Sequence, residues 1–307
     1  MKDDCPDKNT CCPPGGACRP ETITPGRLKP DFPMAGGDGQ ACCGPPPADP
    51  APSLERPGYR LWDFVADVVD TPAGPVVRVK THPVRSDRLG TAAARLGLGR
   101  DRYRIAPGLY AVGDPTDESP VLVTANYKLT FDILRCHLDG IDAWILVVET
   151  FGINVWCAAG KGSFCAEQVA TQVKAAELES VVSHRRLILP QLAAPGVAAR
   201  RVKRLCGFSV RWGPIHARHI RDYLDQDMQA TPVMRDVTFD WKERMTLIPV
   251  ELNHLGKPTL YLIPALLLVS GIGAGFFSVD AAMSRGWPAI LAYLAALLAG
   301  TVLAPAL

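Results

Sequence analysis

One cysteine of this chain lies where a reactive thiolate is favoured. Cys157 stands in the segment Asn-Val-Trp-Cys-Ala-Ala-Gly-Lys (154–161), after an apolar run at 144–148 and before a predicted helix that starts near residue 164. A helix N-terminus and the Lys161 ammonium both favour the ionised thiol, which is the form that binds metals. The small neighbours would let a bulky planar ligand approach the backbone. From these residues alone, a buried or incidental cysteine remains the commoner interpretation.

Two phosphate-binding motifs are excluded for this segment and for the chain. A P-loop requires Gly, four residues and then Gly-Lys-Ser/Thr, but Val155 stands where the first glycine should be and Gly162 follows Lys161. The dinucleotide motif G-x-G-x-x-G is absent as well, since Gly97-Leu-Gly99 lacks the third glycine. The chemistry of the segment therefore depends on its cysteine.

Six of the ten cysteines lie in a Cys/Pro/Gly-rich arm at residues 1–57, namely Cys5, Cys11, Cys12, Cys18, Cys42 and Cys43. So many prolines and glycines cannot sustain a helix or a central strand, so we expect a flexible arm. The spacing fits neither an iron–sulfur cluster nor a zinc site. The vicinal pairs could capture a soft metal such as Hg(II) or Cu(I). Incidental thiols explain them equally well.

The bulk composition argues against nucleic acid as a partner. The chain has 33 basic and 31 acidic residues, a net charge of +2, and no long basic run. Its polar N-terminus lacks the apolar stretch of a signal peptide, so we expect this end in the cytoplasm, where thiols stay reduced. The histidines do not form the D-x-H-x-x-G pattern through which some cobalamin proteins bind cobalt; they are His82, His137, His184, His216, His219 and His254.

Residues 58–255 are predicted to form an α/β domain that positions the cysteine. Buried strands are expected at 121–124, 144–148, 186–189 and 208–212, and they alternate with helical stretches at 128–138, 164–180, 197–205 and 215–226. This alternation predicts a Rossmann-like, doubly wound parallel sheet. Residues 58–112 are expected to add a β-rich section. Ligands of such sheets bind at the carboxyl ends of strands, so we expect the site in the loops after 124, 150, 190 and 212.

Two apolar stretches follow, at 258–278 and 286–307, and predict transmembrane helices. Asp280 and Arg285 would lie between them. Lys242, Arg244 and Lys257 precede the first and place that side in the cytoplasm. Buried core helices of a soluble protein are the alternative. The second stretch runs to the last residue, which suggests a shortened membrane domain.

Residues 154–161 resemble the signature of the mercury-methylation corrinoid proteins (the HgcA family). Segments 120–129, 187–198 and 207–214 are also similar to that family, so the resemblance covers about 58–255 and includes a membrane tail. The family is related to the corrinoid domain of the corrinoid iron–sulfur protein of the acetyl-CoA pathway. The resemblance thus implies a Rossmann-like corrinoid-binding domain followed by transmembrane helices.

The resemblance also implies roles for individual residues. Cys157 would be the lower axial ligand of the corrinoid cobalt. The start of a cap helix over the corrin ring would be formed by Asn154, Val155, Trp156, Ala158, Ala159, Gly160 and Lys161. Thr124, Ala125 and Asn126, with the loops around Pro190 and Gly213, would cradle the corrinoid or its nucleotide tail. Cys165 stands where the family has a small residue, and is either an accessory mercury ligand or a harmless substitution.

The implied activity is transfer of a methyl group from methyl-Co(III) to Hg(II), which forms methylmercury. A methyl-folate-dependent donor would supply the methyl group, and a ferredoxin-like protein with two [4Fe–4S] clusters would reduce the cobalt. The expected location is the cytoplasmic membrane, with the corrinoid domain in the cytoplasm.

Two other functions stay open. The chain could be a membrane-anchored corrinoid methyl carrier of one-carbon (acetyl-CoA pathway) metabolism, although such a carrier does not need the cysteine signature. It could also be a soft-metal-binding membrane protein that uses its vicinal cysteines. Two spans without intramembrane ionisable residues make a poor transport path.

Overall fold

The computed structural model describes residue 59 and residues 62–306. The chain divides into two compact units, the first made of residues up to Gly90 together with Asp101–Asp236, and the second of Thr91–Arg100 together with residues from Val237 onward. The second unit thus begins earlier than the boundary expected at 255. The predicted arm at 1–57, with its six cysteines, lies outside the described residues.

A mixed seven-stranded sheet forms the centre of the described part of the first unit. Its strands are β1 (Val65–Thr71), β2 (Gly74–Val79), β3 (Gly108–Val112), β4 (Val121–Ala125), β5 (Ala143–Val148), β6 (Arg186–Pro190) and β7 (Ser209–Gly213). They lie in the order β1-β2-β3-β5-β4-β6-β7. Strands β5, β4, β6 and β7 are mutually parallel, whereas β3 is antiparallel to β5 and β1 is antiparallel to β2. The α/β class is therefore confirmed, and the added β-rich section makes the sheet mixed.

Strands β4 and β5 are buried along their whole length, as expected for central strands covered on both faces. The helices of this unit are α1 (Arg85–Arg95, of which residues up to Gly90 belong here), α2 (Lys128–His137), α3 (Val155–Gly160), α4 (Ala166–Ala175), α5 (Leu178–Val181), α6 (Ala199–Cys206) and α7 (Ile220–Asp225). The helix expected over 164–180 is interrupted, because Glu177 adopts a left-handed conformation (φ 44°) between α4 and α5.

Helices cover both faces of the parallel strands. Val123 of β4 belongs to the apolar cluster that contains Val169 of α4 and Val202 of α6. Phe131 of α2 packs instead against the ring of Tyr110 in β3, with ring centroids 5.3 Å apart. Alternate residues of a strand point to opposite faces. Helices of this unit therefore lie on both faces of the sheet.

A fully buried ion cluster anchors α2. The Lys128 ammonium lies 2.5 Å from Asp87 Oδ1 and 2.6 Å from Asp132 Oδ2, and Arg135 bridges the same two carboxylates at 2.5 and 2.9 Å. Burial alone would raise the pKa of the Asp87 carboxyl, but the bond from Lys128 and the other favourable contacts lower it below its ordinary value. The two cations and two anions compensate one another, so this charge can remain out of water.

The second unit consists mainly of helices. It contains α8 (Trp241–Met245), α9 (Ile248–Ser270), the short strands β8 (Ile272–Gly273) and β9 (Phe276–Phe277), α10 (Val279–Leu298), a π-helical turn (Ala299–Leu303) and α11 (Ala304–Ala306). Helices α9 and α10 pack together. Thr259 Oγ1 lies 2.6 Å from the Tyr293 hydroxyl, and a Cβ added to Gly286 would come within 2.7 Å of Leu267.

These helices differ from the two predicted spans. Helix α9 begins before residue 258 and ends at Ser270, where the β8–β9 hairpin takes over part of the expected first span. Asp280 and Arg285, expected between the spans, lie inside α10. Among the described residues, one helix, Val279–Ala306, is long and apolar enough to cross a membrane. Helix α9 is long enough but not apolar enough to meet the same criterion, because its first half contains polar residues such as Glu251 and Lys257.

Candidate functional site

Cys157 lies in the first turn of α3, which follows β5 at the carboxyl edge of the parallel strands. The Asn154 side chain caps this helix, because its Oδ1 accepts a hydrogen bond from the Cys157 backbone N–H at 2.9 Å. Asn154 itself has extended backbone angles (φ −65°, ψ 160°), as an N-cap residue should. The cap fixes the backbone of the cysteine directly.

The signature residues divide between two sides of α3. Val155, Ala158 and Ala159 are buried and belong to the apolar core cluster. The opposite side is exposed and carries Trp156, which is 55% exposed, together with Cys157, Gly160 and Lys161. The buried side thus anchors the turn while the exposed side presents a thiol beside an indole ring. Large apolar side chains rarely stay this exposed without a contact to make.

The loop after β6 packs closely on α3 and requires a residue without a Cβ. A Cβ added to Gly196 would lie 2.6 Å from the Ala159 carbonyl oxygen and 2.7 Å from both Ala159 Cα and the Phe164 carbonyl oxygen. All three are backbone atoms, which cannot rotate away. The loop that follows β6 therefore supports α3 by direct packing, whereas its predicted contact with the corrinoid stays a prediction.

We expect Gly196→Ala to shift α3 and to destabilise the protein by about 1–3 kcal/mol, the usual cost of forced overpacking. The measurement is the denaturant midpoint of unfolding. Gly162→Ala is a less direct comparison, since Gly162 has open space around it but a positive φ of 79°. Gly160→Ala is the matched control, because nothing lies within 4 Å of its added Cβ and its φ is helical. Equal loss of stability in Gly160→Ala and Gly196→Ala would contradict the packing argument.

The predicted residues after β4 are buried. Thr124 is 1% exposed, and Ala125 and Asn126 are 0% exposed. The Asn126 side chain is used inside the protein: its Oδ1 accepts bonds from the Thr150 N–H (3.1 Å), the Thr150 hydroxyl (2.9 Å) and the Gly152 N–H (3.0 Å). Asn126 therefore holds the loop that leads from β5 to Cys157.

Glu149 is part of the same arrangement, and the sequence analysis missed it. Its Oε1 accepts a hydrogen bond from Asn126 Nδ2 at 2.8 Å and one from the Phe151 N–H at 2.7 Å, and its Oε2 accepts from the Tyr59 hydroxyl. Burial raises the pKa of the Glu149 carboxyl from 4.5 to about 7, although the backbone bonds from Phe151 and Thr150 act in the opposite direction. Residues 126 and 149 directly follow β4 and β5, whose pairing in the sheet brings them together.

The raised pKa of Glu149 makes stability depend on pH. Below 4.5, the pKa of Glu149 in the unfolded chain, its protonated carboxyl contributes fully to the free energy of unfolding. This contribution is lost as the pH rises through about 7, because the unfolded chain releases the proton at lower pH than the folded protein does. We expect a loss of about 3 kcal/mol in the free energy of unfolding over this range. Glu149→Gln, which keeps the acceptor and cannot ionise, should lack this component. Urea unfolding at about pH 4.5 and pH 8 measures it, and identical pH profiles for the two proteins would contradict it.

The other residues considered from the sequence, namely Pro190, Gly213, two of the histidines and Cys165, have partners or neighbours close to them in the structure. Pro190 and Gly213 are paired neighbours at the ends of β6 and β7. His184 bonds the Ser119 carbonyl at 2.9 Å and His137 bonds the Ile133 carbonyl at 2.8 Å, in keeping with ordinary structural roles. Cys165 occupies the N-cap position of α4 and is partly buried. No group of three or more His, Cys, Asp or Glu side chains that could hold a metal ion occurs between residues 62 and 306.

The exposed side of α3 fits a large, flat group with a metal at its centre. Cys157 offers a soft sulfur ligand, and nothing lies within 4 Å of a Cβ added to Gly160 or Gly162, so backbone there is open to close approach. The two best-formed cavities of the described residues, about 280 and 320 Å³, lie elsewhere and are not lined by Cys157. A group bound at Cys157 would therefore lie against an open face.

Part of the chain, which includes strands β3 to β7 and the cysteine helix, is similar to subunits of enzyme complexes. Residues 100–224 match the family described as "CO dehydrogenase/acetyl-CoA synthase delta subunit". The chain is 33% identical over 130 residues to the acetyl-CoA decarbonylase/synthase complex subunit gamma of Methanopyrus kandleri, covering 42% of this chain and 28% of that protein. It is 32% identical over 130 residues to the corresponding subunit of Archaeoglobus fulgidus, covering 42% and 27%. A gamma subunit of Methanosarcina mazei is 42% identical over 90 residues, covering 28% and 19%.

The matched family region runs from before β3 to α7 and includes Cys157. The chain spans less than a third of the length of these relatives. Their names agree with the expected relation to the acetyl-CoA pathway and support a corrinoid protein. None of these names refers to mercury. The similarity therefore favours the one-carbon alternative over mercury methylation.

Proposed function

We propose that this chain binds a corrinoid and takes part in methyl transfer, with the Cys157 thiolate as the lower ligand of the cobalt. One observation carries the proposal: a capped helical turn presents Cys157 and Trp156 to solvent at the carboxyl edge of the parallel strands. Ligands of doubly wound sheets bind at this edge. The similarity to acetyl-CoA decarbonylase/synthase subunits supports the corrinoid, and the family match at residues 100–224 includes the parallel strands and the cysteine helix.

The residues around Cys157 would have different roles in holding the corrinoid. Asn154 holds the Cys157 backbone through its 2.9 Å bond, and the buried side of α3 keeps the turn on the core. Trp156, Gly160 and Lys161 share the exposed side with Cys157 and would line the corrinoid. When bound, the cobalt would supply the capacity to carry a methyl group. Cys157 would hold the cobalt through an electron-rich sulfur ligand.

The methyl acceptor distinguishes two candidate functions. The relatives favour a methyl carrier of one-carbon metabolism, in which the acceptor belongs to a larger complex. The exposed thiol favours the second candidate, methylation of Hg(II), because a carbanion-like methyl suits a thiophilic metal ion acceptor. Either candidate needs a methyl donor, for which a methyl-folate-dependent protein is proposed, and a reductant, for which a ferredoxin-like protein with two [4Fe–4S] clusters is proposed.

The full chain, purified in detergent and loaded with methylcobalamin, tests both candidates. Thiol-bound Hg(II) is added and methylmercury is measured against free methylcobalamin at the same concentration. Mercury methylation would be supported if the wild-type protein forms methylmercury faster than free methylcobalamin does, and if Cys157→Ala forms it only at the rate of free methylcobalamin. Stoichiometric cobalamin binding without this acceleration would support the one-carbon carrier. Failure to bind cobalamin would contradict the proposal as a whole.

We further propose that the second unit attaches the protein to the cytoplasmic membrane, with the first unit in the cytoplasm. The helix Val279–Ala306 supports this by its length and composition, and only 11% of its most apolar window is buried. Met283, Trp287, Leu291 and Leu298 of α10 are all exposed, as are Leu260, Tyr261 and Leu268 of α9. Exposed apolar surface of this kind is stable in lipid, whereas its exposure to water is unfavourable. Flotation of the full chain with lipid vesicles would test the attachment.

A further inference from the structure

We propose that Asn126 and Glu149 are positioning residues for Cys157, and that they act by holding the strained turn between β5 and α3. The inference rests on the proposed function in one respect only, namely that Cys157 ligates cobalt. Both side chains bond to the loop before α3 rather than to α3 itself; Asn126 is fully buried and Glu149 is partly buried. They therefore act through the backbone of the loop.

The turn they hold is conformationally unusual. Phe151 and Gly152 both have left-handed backbone angles, with φ of 58° and 76°. Glycine adopts this region without cost, whereas a phenylalanine with a bulky side chain does so only when its surroundings impose it. Two consecutive residues of this kind reverse the direction of the chain immediately after β5. Without a partner for its N–H groups, this turn would relax towards ordinary backbone angles.

Asn126 and Glu149 supply those partners. The Phe151 N–H donates to Glu149 Oε1, the Thr150 and Gly152 N–H groups donate to Asn126 Oδ1, and Asn126 Nδ2 ties the two side chains together at 2.8 Å. All the N–H groups from residue 150 to residue 152 therefore bond to one of these two side chains. A buried unmade hydrogen bond costs more than a made one gains, so loss of either partner should release the turn.

The path from the turn to the thiol is short. The Thr150 hydroxyl donates to the Ile153 carbonyl at 2.8 Å, and the next residue is Asn154, whose side chain caps α3 at Cys157. The hydrogen bonds of Thr150 and Asn154 thus connect the turn to the N-terminus of α3, where Cys157 lies. Displacement of the turn would be transmitted to the N-cap, and through it to the position of the sulfur. Groups one step removed from a metal ligand commonly change affinity or activity by about 10–100-fold.

A matched set of full-length variants tests this inference. Asn126→Ala removes the bonds to Thr150 and Gly152. Glu149→Ala removes the oxygen that accepts from the Phe151 N–H and from Asn126 Nδ2. Glu149→Gln keeps one oxygen that can accept both of these bonds, so we expect it to retain what the two alanine variants lose. It is also the control for charge.

The first readout is backbone hydrogen exchange in the protein without cofactor. In Asn126→Ala and in Glu149→Ala, amides of residues 150–157 should exchange at least about 10-fold faster, while α2 and α6 stay unchanged; Glu149→Gln should stay within about 3-fold of wild type. The second readout is the visible spectrum of the cobalamin-loaded protein. Its sulfur-ligation features should be lost or reduced in the two alanine variants and retained in Glu149→Gln.

Unchanged exchange over 150–157 in Asn126→Ala, or equally faster exchange in α2 and α6, would overturn the inference. A wild-type protein whose cobalamin spectrum is the same as that of Cys157→Ala would instead contradict cobalt ligation by Cys157. The exchange readout needs no cofactor, so the two failures can be told apart. Exchange as fast in Glu149→Gln as in Glu149→Ala would also count against the specific role of the bonds that Glu149 accepts.

Discussion

Replacing Cys157 by alanine is expected to lower the methyl-transfer rate of the cobalamin-loaded full chain by at least about 100-fold, because loss of the ligand itself should exceed the loss caused by changing its neighbours. The fold should persist. Cys157 lies on the exposed side of α3, where substitutions usually change stability by less than about 0.5 kcal/mol. The rate is measured by transfer of labelled methyl to thiol-bound Hg(II) or, if that acceptor fails, to the carbonylated acetyl-CoA synthase subunit of a related complex.

Cys165→Ala is the matched control for this substitution. Cys165 precedes α4 and is partly buried. The control should retain the wild-type rate if Cys165 is a harmless substitution, and should lose part of the mercury-dependent rate alone if it is an accessory mercury ligand. Equal rates for Cys157→Ala and wild type, with cobalamin bound in both, would contradict the assigned role of Cys157.

Lys128→Met is expected to have the largest effect on stability, a loss of about 3–5 kcal/mol in the free energy of unfolding. The ammonium is completely buried between two carboxylates and lies 4.9 Å from the centre of the Trp62 ring and 5.2 Å from that of Tyr103. Methionine fills similar space but leaves Asp87 and Asp132 with one cation instead of two. Denaturant unfolding followed by circular dichroism measures the loss.

The loss should shrink at low pH. Without Lys128, the hydrogen bond that most lowers the pKa of Asp87 is absent, so burial should raise that pKa and the carboxyl should protonate in the folded variant. Arg88→Met is the control, since Arg88 is exposed on the same helix as Asp87 and should change stability by less than about 0.5 kcal/mol. Similar losses for Lys128→Met and Arg88→Met would show that the buried cluster is not held by its charge balance.

The parallel half of the sheet could be predicted because its strands are continuous apolar runs. Residues 121–125 and 143–148 are entirely buried, and such runs, separated by helical patterns, leave little choice of structure. Strand β3 (Gly108–Val112) is equally buried, yet its place between β2 and β5, antiparallel to the latter, depends on tertiary pairing that no local pattern specifies.

The second unit shows the limit of hydropathy. The apolar composition predicts a first span that continues through residue 278, but the chain turns at Gly271. There the Phe277 ring lies so close that a Cβ added to Gly271 would be 2.4 Å from it. This close approach ends α9 and forms the β8–β9 hairpin, although the residues involved are apolar. Apolar composition alone does not distinguish a turn from a helix when glycine allows the backbone to fold back.

The sequence predicts Cys157 as the central residue of the site, but it does not indicate the side chains that hold the preceding loop. The signature indicated Cys157, and the cap by Asn154 follows the ordinary preference of asparagine at helix N-termini. Asn126 was assigned to the ligand because it follows a strand, yet its side chain is turned to the loop of residues 150–152. Pairing of Ala125 with Val148 in neighbouring parallel strands puts residues 126 and 149 side by side, a relation visible only once strand order is known.

The most direct measurement is X-ray absorption at the cobalt edge of the full chain loaded with cobalamin. Cobalt ligation by Cys157 predicts a sulfur atom in the first coordination shell of the wild-type protein, its absence in Cys157→Ala, and its persistence in Cys165→Ala. A shell made only of nitrogen and oxygen atoms in the wild-type protein, with cobalamin fully bound, would contradict thiolate ligation and with it the proposed role of the Cys157 helix.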